Sequence, residues 1–345
     1  MAPLRGGIIG LGRMGITHLS ILKSHPDVRI VGICDNSKFV IRAMRATEKG
    51  SDIIICSSYE EMINKSSLDF VVIATPTKFH SEIINFAIKK NLHVFVEKPF
   101  VMYVEEGKKI LGSLEGKSLV NQVGYVYRFN DIIAQVKNIL TDEIIGSIKY
   151  FKVELNSNTI IRKQKLGWRG TPKFGGGCLL EFGSHCIDLA VYLVGVPTRV
   201  MGSAFQNVYS SHVEDIVFST LVYDNNCYGN VFVNWSDSSY RRPTLNIVIL
   251  GEKGKIIADS HCLKIFSSEP DEKHKLKKGW NTKYITDFAK GVRIYVRGNE
   301  FTTQLDYFIN CIKNKTMKNL SSFEEALKTD IIIEKIRNNS FDNVR

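Results

Sequence analysis

The segment that most constrains the fold of this chain is its glycine-rich opening. A short apolar strand leads into Gly10, Gly12 and Gly15, which have the spacing G-x-G-x-x-G, and a helical pattern follows. In this arrangement the first glycine makes a tight turn, the second lets the backbone approach a pyrophosphate, and the third lets the helix pack on the strand. A second apolar run ends at Asp35, about 20 residues further on, where an acceptor for a ribose hydroxyl is expected. The opening predicts a dinucleotide-binding unit; the alternative is an ordinary glycine-rich turn.

The start of the predicted helix supplies the second part of this site. Arg13 and Met14 stand at its first positions, where free backbone N–H groups and the positive end of the helix dipole favour phosphate. Asp35 favours NAD over NADP, because a carboxylate repels a 2′-phosphate. Lys38 and Arg42 lie nearby in sequence and can neutralise such a phosphate, so NADP stays open.

Residues 1–124 alternate short apolar strands with helices. Strands that are short and continuously apolar are typical of a parallel sheet covered on both faces. We therefore predict a doubly wound parallel sheet, the α/β Rossmann fold, for an N-terminal domain of residues 1–124. Ligands of such sheets bind beyond the carboxyl ends of the strands, where this sequence has Ala74-Thr75-Pro76 and Glu97-Lys98-Pro99.

Residues 125–345 lose this alternation. Turn sequences at 224–226 and 251–254 separate apolar runs and predict two hairpins. They indicate an α+β C-terminal domain with a large, mostly antiparallel open sheet. One face of the sheet needs helices and the other needs solvent or a second subunit, so we expect a homodimer or homotetramer. Residues 267–298 are polar and are predicted to be irregular.

Composition excludes several classes of protein. With 44% hydrophobic residues among 345, the chain can form two domains, and it has no apolar run of the ~18–20 residues that span a bilayer. The first strand begins within the first ten residues, so no signal peptide is expected. Seven scattered cysteines without a C-x-x-C pair predict free thiols, no metal site and a cytoplasmic location. The net charge of +11 is spread along the chain, which favours an anionic small molecule over nucleic acid.

Lys98 is the first candidate for chemistry. It ends the fifth predicted strand, and the proline that follows keeps it out of helical geometry. A lysine at this rim of the sheet can act as an acid, a base or a hydrogen-bond donor. The alternative is a solvent-exposed lysine that merely ends a strand.

The second candidate is the run 178–194, which is apolar nearly all round and typical of a buried helix. Four polar residues occur in it at spacings of four, three and four, namely Glu181, His185, Asp188 and Tyr192. On an α-helix these spacings give one polar stripe. Because burying such groups is costly unless they are hydrogen-bonded, the stripe either faces a cleft or forms a satisfied internal network.

These motifs resemble the Gfo/Idh/MocA oxidoreductases over nearly the whole chain. The resemblance is carried by the glycine turn, Ala74-Thr75-Pro76 with His80, Glu97-Lys98-Pro99, and G-G-G at 175–177 followed by Glu181, His185 and Asp188. It implies an NAD(P)-dependent enzyme that transfers hydride between nicotinamide and a hydroxyl carbon of a sugar, an inositol or a sugar nucleotide. The cofactor contacts that it adds to those of the glycine turn and Asp35 are Thr75, Pro76, His80, Glu97 and Lys98.

The resemblance also implies roles in catalysis. Lys98 and His185 match the catalytic lysine and histidine of the family, with His185 exchanging the hydroxyl proton and Lys98 stabilising the developing oxyanion. Glu181 stands where many members have aspartate, and its extra methylene changes its reach. It is expected to orient His185, to bind a substrate hydroxyl, or to do neither.

Tyr125, Tyr127 and Arg128 match the family segment that borders the substrate, and Trp168 and Arg169 fall on a loop that is expected to cover the same cleft. Tyrosine and tryptophan are equally good core residues, so a packing role stays open. The positive charge and the segments Arg162-Lys163 and Tyr240-Arg241-Arg242 favour a sugar nucleotide as the substrate. An inositol dehydrogenase, an NAD-dependent glycosidase and a non-enzymatic sugar-sensing regulator are the alternatives, although the presence of both Lys98 and His185 argues against the regulator.

Overall fold

The computed structural model describes residues 2–163 and 167–339. The first part of the chain forms a six-stranded parallel sheet in the order β3-β2-β1-β4-β5-β6, which confirms the predicted doubly wound Rossmann fold. Its strands are β1 (Leu4–Ile9), β2 (Val28–Cys34), β3 (Ile54–Cys56), β4 (Phe70–Ile73), β5 (His93–Val96) and β6 (Asn121–Val123). The helices that connect them are α1 (Arg13–Lys23), α2 (Lys38–Thr47), α3 (Tyr59–Lys65), α4 (His80–Lys89) and α5 (Val104–Leu114).

The second sheet has eight strands in the order β14-β13-β12-β11-β7-β10-β9-β8 and is antiparallel except for the pair β7–β10. This confirms the predicted large open sheet and both hairpins, β9–β10 and β11–β12. Its strands are β7 (Ile148–Asn156), β8 (Arg199–Gln206), β9 (Ile216–Val222), β10 (Tyr228–Asn234), β11 (Thr244–Gly251), β12 (Gly254–Ala258), β13 (Cys262–Ser267) and β14 (Gly279–Tyr284). Two helices pack on one of its faces, α6 (Asp131–Thr141) and α7 (Ser184–Leu193).

The strand β14 corrects the prediction that residues 267–298 are irregular. It pairs in register with β13, from Cys262 opposite Tyr284 to Ser267 opposite Gly279. The segment escaped prediction because its residues alternate between half-buried and exposed positions without an apolar face. A strand at the edge of a sheet needs a partner strand more than it needs a hydrophobic side.

The last helices are α8 (Asn299–Lys313) and α9 (Phe323–Asn338). By compactness the chain divides into one unit of Met1–Val126 with Gly291–Leu327 and another of Tyr127–Lys290 with Lys328–Arg345. The predicted domains, 1–124 and 125–345, differ from these units because they assign Gly291–Leu327 to the second. The reason is the core of the first unit, in which Leu305 and Phe308 of α8 pack with Phe70 and Phe95.

The face of the second sheet opposite α6 and α7 carries a row of large side chains. The strand register places one residue from each of six neighbouring strands side by side in this row: Trp280, Phe266, Lys255, Leu250, Tyr150 and Tyr228. Trp280 and Tyr228 are each more than half exposed. We call this set the aromatic row. Exposed large hydrophobic side chains grouped in this way are typical of an interaction surface.

Candidate active site

The three glycines of the opening turn meet different requirements. Gly10 has a φ of +89°, and a Cβ there would lie 2.6 Å from the Ala74 carbonyl oxygen. At Gly15 a Cβ would lie 1.8 Å from the Gly10 carbonyl oxygen. Gly12 is exposed, and beyond its chain neighbours no described atom lies within 4 Å of a Cβ placed there. Because the fold explains Gly10 and Gly15 but not Gly12, the middle glycine leaves room for a ligand.

The helix α1 starts directly at this open space. Gly12 is its N-cap, so no side chain occupies the free N–H groups of the first turn. Arg13 is exposed and Met14 is half-buried. Free N–H groups, the helix dipole and an arginine together favour an anionic group such as a pyrophosphate.

Asp35 is bonded to the turn that it was predicted to complement. Its carboxylate accepts hydrogen bonds from the backbone N–H of Leu11 (2.7 Å) and of Ser37 (2.8 Å). These bonds fix the side chain beside the glycine turn. Each carboxylate oxygen has two lone pairs, so one on each remains for a ribose hydroxyl. The open space at Gly12, the start of α1 and the Asp35 carboxylate therefore fit a dinucleotide.

His80 joins the two segments that follow β4 and β5. Its Nε2 lies 3.0 Å from the Thr75 carbonyl oxygen, and its Nδ1 lies 3.0 Å from that of Pro99 and 3.2 Å from that of Phe100. The ring is fully buried, and this burial lowers the pKa of His80 although the three carbonyls oppose the shift. These contacts hold the half-buried Thr75 against the segment after β5. A contact of His80 with a cofactor stays a prediction.

Glu97 is also turned inward, towards His18 of α1. Glu97 Oε1 lies 2.6 Å from His18 Nε2, in a ring that is fully buried and packs edge-on against Phe95. Burial raises the pKa of Glu97, but the hydrogen bond to His18 and the positive charge of Lys98 outweigh it, so the pKa is lowered overall. Glu97 therefore forms an internal pair with His18, and its contact with a cofactor stays a prediction. Sequence reasoning missed His18, whose only signal was a histidine on the apolar face of α1.

Lys98 lies where it was predicted, at the carboxyl end of β5. It is half-buried, its peptide bond to Pro99 is cis, and its backbone N–H donates to Glu97 Oε2 at 3.3 Å. Glu97 thereby places a negative charge beside this lysine. A lysine ammonium group can donate a hydrogen bond to an oxyanion.

In the second unit, Glu181 and His185 stand on a helix that begins with a π-helical turn. The turn covers Leu179–Gly183, and α7 continues from Ser184. Both polar side chains are half-buried, and the His185 ring meets the Tyr127 ring edge-on at a centroid distance of 5.1 Å. π-Turns of this kind are frequent at functional sites. The prediction of one continuous α-helical stripe is wrong at its first turn.

Arg169 and Trp168 belong to the same neighbourhood. Arg169 Nε donates to Glu181 Oε2 at 3.2 Å, and the Arg169 guanidinium stacks over the Trp168 ring at 4.7 Å. The glycine run 175–177 holds this segment, because Gly177 N–H donates to the Arg169 carbonyl oxygen at 3.0 Å. A Cβ at Gly176 would lie 2.2 Å from that same oxygen. The structure thus brings Trp168, Arg169, Glu181 and His185 together.

Arg128 and Tyr125, two residues of the predicted substrate lining, are both buried. The Arg128 guanidinium is buried and holds the Asp188 carboxylate through Nε (3.0 Å) and Nη2 (2.7 Å). Thr329 donates to the same carboxylate, and Tyr192 packs under the guanidinium. Tyr125 is 1% exposed. The predicted stripe therefore divides: its Asp188 end is an internal ion pair, and its Glu181 end stays partly open.

Neither a metal-binding cluster nor a membrane-spanning helix is found among the described residues. In residues 2–163 and 167–339, no group of three or more His, Cys, Asp or Glu side chains is arranged to hold a metal ion. Over the same residues no helix is both long enough and apolar enough to cross a membrane. The candidates for chemistry are Lys98 in the first unit and Glu181 and His185 in the second.

Comparison with known proteins identifies the class. Residues 4–125 match the model of the Gfo/Idh/MocA "oxidoreductase family, NAD-binding Rossmann fold", and residues 137–343 match the C-terminal alpha/beta domain of the same family. The chain belongs to the Gfo/Idh/MocA oxidoreductase family. The cofactor of that family is NAD, and both the open space at Gly12 and the position of Asp35 are consistent with it.

Individual relatives are distant. The scyllo-inositol 2-dehydrogenase (NAD(+)) of Bacillus subtilis is 24% identical over 99% of this chain and 94% of its own length. An uncharacterized oxidoreductase of Schizosaccharomyces pombe is 27% identical over 201 residues, which are 58% of this chain but only 54% of that protein. Among solved structures, levoglucosan dehydrogenase in complex with NADH and levoglucosan has a TM-score of 0.84 at 20% identity, covering 98% of this chain and 97% of that chain.

The open space at Gly12 generates a first prediction. Gly12→Val should leave the melting temperature unchanged, because the new side chain meets no protein atom, but should weaken NADH binding at least about tenfold, roughly 1.4 kcal/mol. Calorimetry and NADH fluorescence titration measure the two effects. Gly112→Val, at a glycine of α5 that also has open space around it, is the control for binding. Unchanged NADH affinity in Gly12→Val would show that the cofactor does not use this turn.

The Arg128–Asp188 pair generates a second prediction. Arg128→Met leaves a buried carboxylate without its counter-ion and should lower the free energy of unfolding by about 3–5 kcal/mol. Arg169→Met removes an arginine from a more exposed pair and should cost less than about 1 kcal/mol. Urea denaturation measures both. A stable Arg128→Met variant with a raised KM for substrate would instead support the predicted role of Arg128 in lining the substrate site.

Proposed function

We propose that this protein is an NAD-dependent dehydrogenase that interconverts a hydroxyl and a carbonyl on a ring carbon of a sugar or cyclic polyol. The observation that carries the proposal is the Glu181–His185 pair. These side chains stay partly open, whereas Ser184 and Asp188 of the same helix are buried. Partly exposed polar groups beside a π-turn indicate a working site and not a core network.

The roles follow from the surroundings of each side chain. NAD, when bound at the glycine turn, supplies the hydride acceptor. His185 accepts the hydroxyl proton of the substrate, and the edge of Tyr127 holds its ring in place. Lys98, beside the Glu97 carboxylate, donates a hydrogen bond to the oxygen that becomes negative. Glu181 is held by Arg169, which supports a role in orienting the site over one in exchanging protons.

The substrate class is supported by the relatives, which include dehydrogenases of scyllo-inositol, glucose 6-phosphate and D-glucosides. Within this class we favour a sugar nucleotide, because Arg162, Lys163 and Arg241 are exposed and available to a diphosphate. A panel of scyllo-inositol, levoglucosan, glucose 6-phosphate and UDP-glucose with NAD, followed by absorbance, tests this choice. Cleavage of a glycoside without net NADH formation would instead support the NAD-dependent glycosidase.

A third prediction concerns the chemical step. His185→Asn and Lys98→Met should each lower kcat by about 10²–10⁴-fold, because each removes a proton-transfer or oxyanion group. NADH affinity and melting temperature should change little. The matched controls are His212→Asn and Lys90→Met, at exposed histidine and lysine positions. Variants that melt early but turn over at the wild-type rate would assign both residues to the fold.

We also propose that the protein is a homodimer or homotetramer assembled through the aromatic row. Apart from Lys255 the row consists of aromatic and aliphatic side chains, and it lies on the sheet face opposite α6 and α7. In a fourth prediction, light scattering gives a mass of at least twice the 39.0 kDa chain, and Trp280→Arg shifts it towards the monomer. Phe39→Arg, at an exposed phenylalanine of the first unit, is the control. A wild-type monomer at micromolar concentration would refute the assembly.

The cysteines support a reducing compartment, and we propose the cytoplasm. All seven are free thiols, and six of them are buried. Burial raises the pKa of the Cys34 thiol to about 12, so its reactive thiolate form is suppressed. Buried unreactive thiols are typical of packing residues and not of redox centres.

A further inference from the structure

Glu214 makes two hydrogen bonds to the start of the helix that carries Glu181 and His185. Its side-chain Oε1 accepts from the Leu179 N–H at 2.8 Å, and its backbone oxygen accepts from the Cys178 N–H at 3.1 Å. Helix starts leave such N–H groups without intrahelical acceptors. One residue, just before β9, thus satisfies two successive amides where the π-turn begins.

The third glycine of the run 175–177 makes room for this contact. Gly177 has a φ of +114°, and a Cβ there would lie 2.5 Å from Glu214 Oε1. Any side chain at Gly177 would push the carboxylate away from Leu179. The Gly177 carbonyl oxygen in turn accepts from the Glu181 N–H at 3.0 Å. Glycine, carboxylate and π-turn therefore form one connected unit.

The neighbouring Asp215 supports the π-turn from another direction. Its buried carboxylate accepts hydrogen bonds from the Ser210 N–H at 2.8 Å and from the Trp235 indole N–H at 2.5 Å. The Trp235 ring packs edge-on against Phe182, inside the π-turn, at a centroid distance of 6.3 Å. Two consecutive acidic residues thereby fix the turn. Glu214 binds backbone amides at its start, and Asp215 holds the Trp235 ring that packs against Phe182.

We propose that Glu214 is a positioning residue that sets the placement of Glu181 and His185 by the reach of its carboxyl group to the Leu179 amide. The inference rests on the proposed function, in which those two residues serve the reaction. A misplacement of about 1 Å in a reacting group can cost about 100-fold in rate. A helix start that is held from outside the helix is therefore a sensitive point for activity.

The reach of Glu214, and not its charge, is the property that matters here. Burial raises the pKa of Glu214, and Asp215 adds to the shift, while the Leu179 amide and the positive charge of Arg337 on α9 oppose it. The neutral acid therefore becomes populated at a higher pH than for an ordinary glutamate. Both forms present Oε1 as an acceptor to Leu179, so positioning survives protonation.

Two conservative variants separate reach from charge. Glu214→Gln keeps the acceptor at the same distance but removes the charge, and it should retain kcat within about threefold. Glu214→Asp keeps the charge but falls one methylene short, and it should lower kcat by about 10–100-fold with NADH affinity unchanged. Glu252→Asp, at an exposed glutamate on the hairpin before β12, is the control and should behave as wild type.

Hydrogen–deuterium exchange of residues 178–185 in the protein without added cofactor supplies a readout that does not depend on turnover. Exchange should accelerate in Glu214→Asp and stay at the wild-type rate in Glu214→Gln. Wild-type exchange and kcat in Glu214→Asp would overturn the inference, and so would a Glu214→Gln variant as impaired as Glu214→Asp. A fully active His185→Asn variant would refute the proposed function. The structural positioning would still stand if exchange of residues 178–185 is faster in Glu214→Asp than in Glu214→Gln.

Discussion

Buried polar groups need hydrogen-bonding or charged partners, and this constraint shapes both units of the protein. In the first unit, His18 is paired with Glu97, and His80 lies within hydrogen-bonding distance of the carbonyl oxygens of Thr75 and Pro99. In the second unit, Arg128 forms an ion pair with Asp188. A buried donor or acceptor that loses its partner costs about 1–3 kcal/mol, and a buried charge costs more. These pairs therefore determine which polar side chains remain available for chemistry.

This constraint divides the polar residues of the π-turn and α7 into two groups. Asp188 is buried at the level of Arg128 and has its charge matched there. About one turn earlier His185, and about two turns earlier Glu181, are half-buried and are bordered by Tyr127 and Arg169 respectively. The same helix thus holds a structural ion pair at one level and the candidate site at the next. A stripe read from spacing alone cannot show where one role ends and the other begins.

Some features could be predicted because they depend on local sequence. The glycine turn, the short apolar strands and the hairpins each have a pattern set by a few neighbouring residues, and the structure confirms them. The contacts that the sequence did not show depend on distant partners. Glu97 turns towards His18, 79 positions away, and Arg128 turns towards Asp188, 60 positions away. The return of α8 to the first unit depends likewise on a core that it shares with Phe70 and Phe95.

The replacement of aspartate by Glu181 becomes intelligible in this setting. The Glu181 carboxylate meets Arg169 at 3.2 Å, and the Arg169 backbone is itself held by Gly176 and Gly177. A shorter aspartate at this position would end one methylene earlier and would weaken that contact. The longer side chain therefore links the π-turn to the Trp168–Arg169 segment. Since Glu214 fixes the start of the same turn, the placement of His185 depends on contacts from two sides, neither of which lies in its own helix.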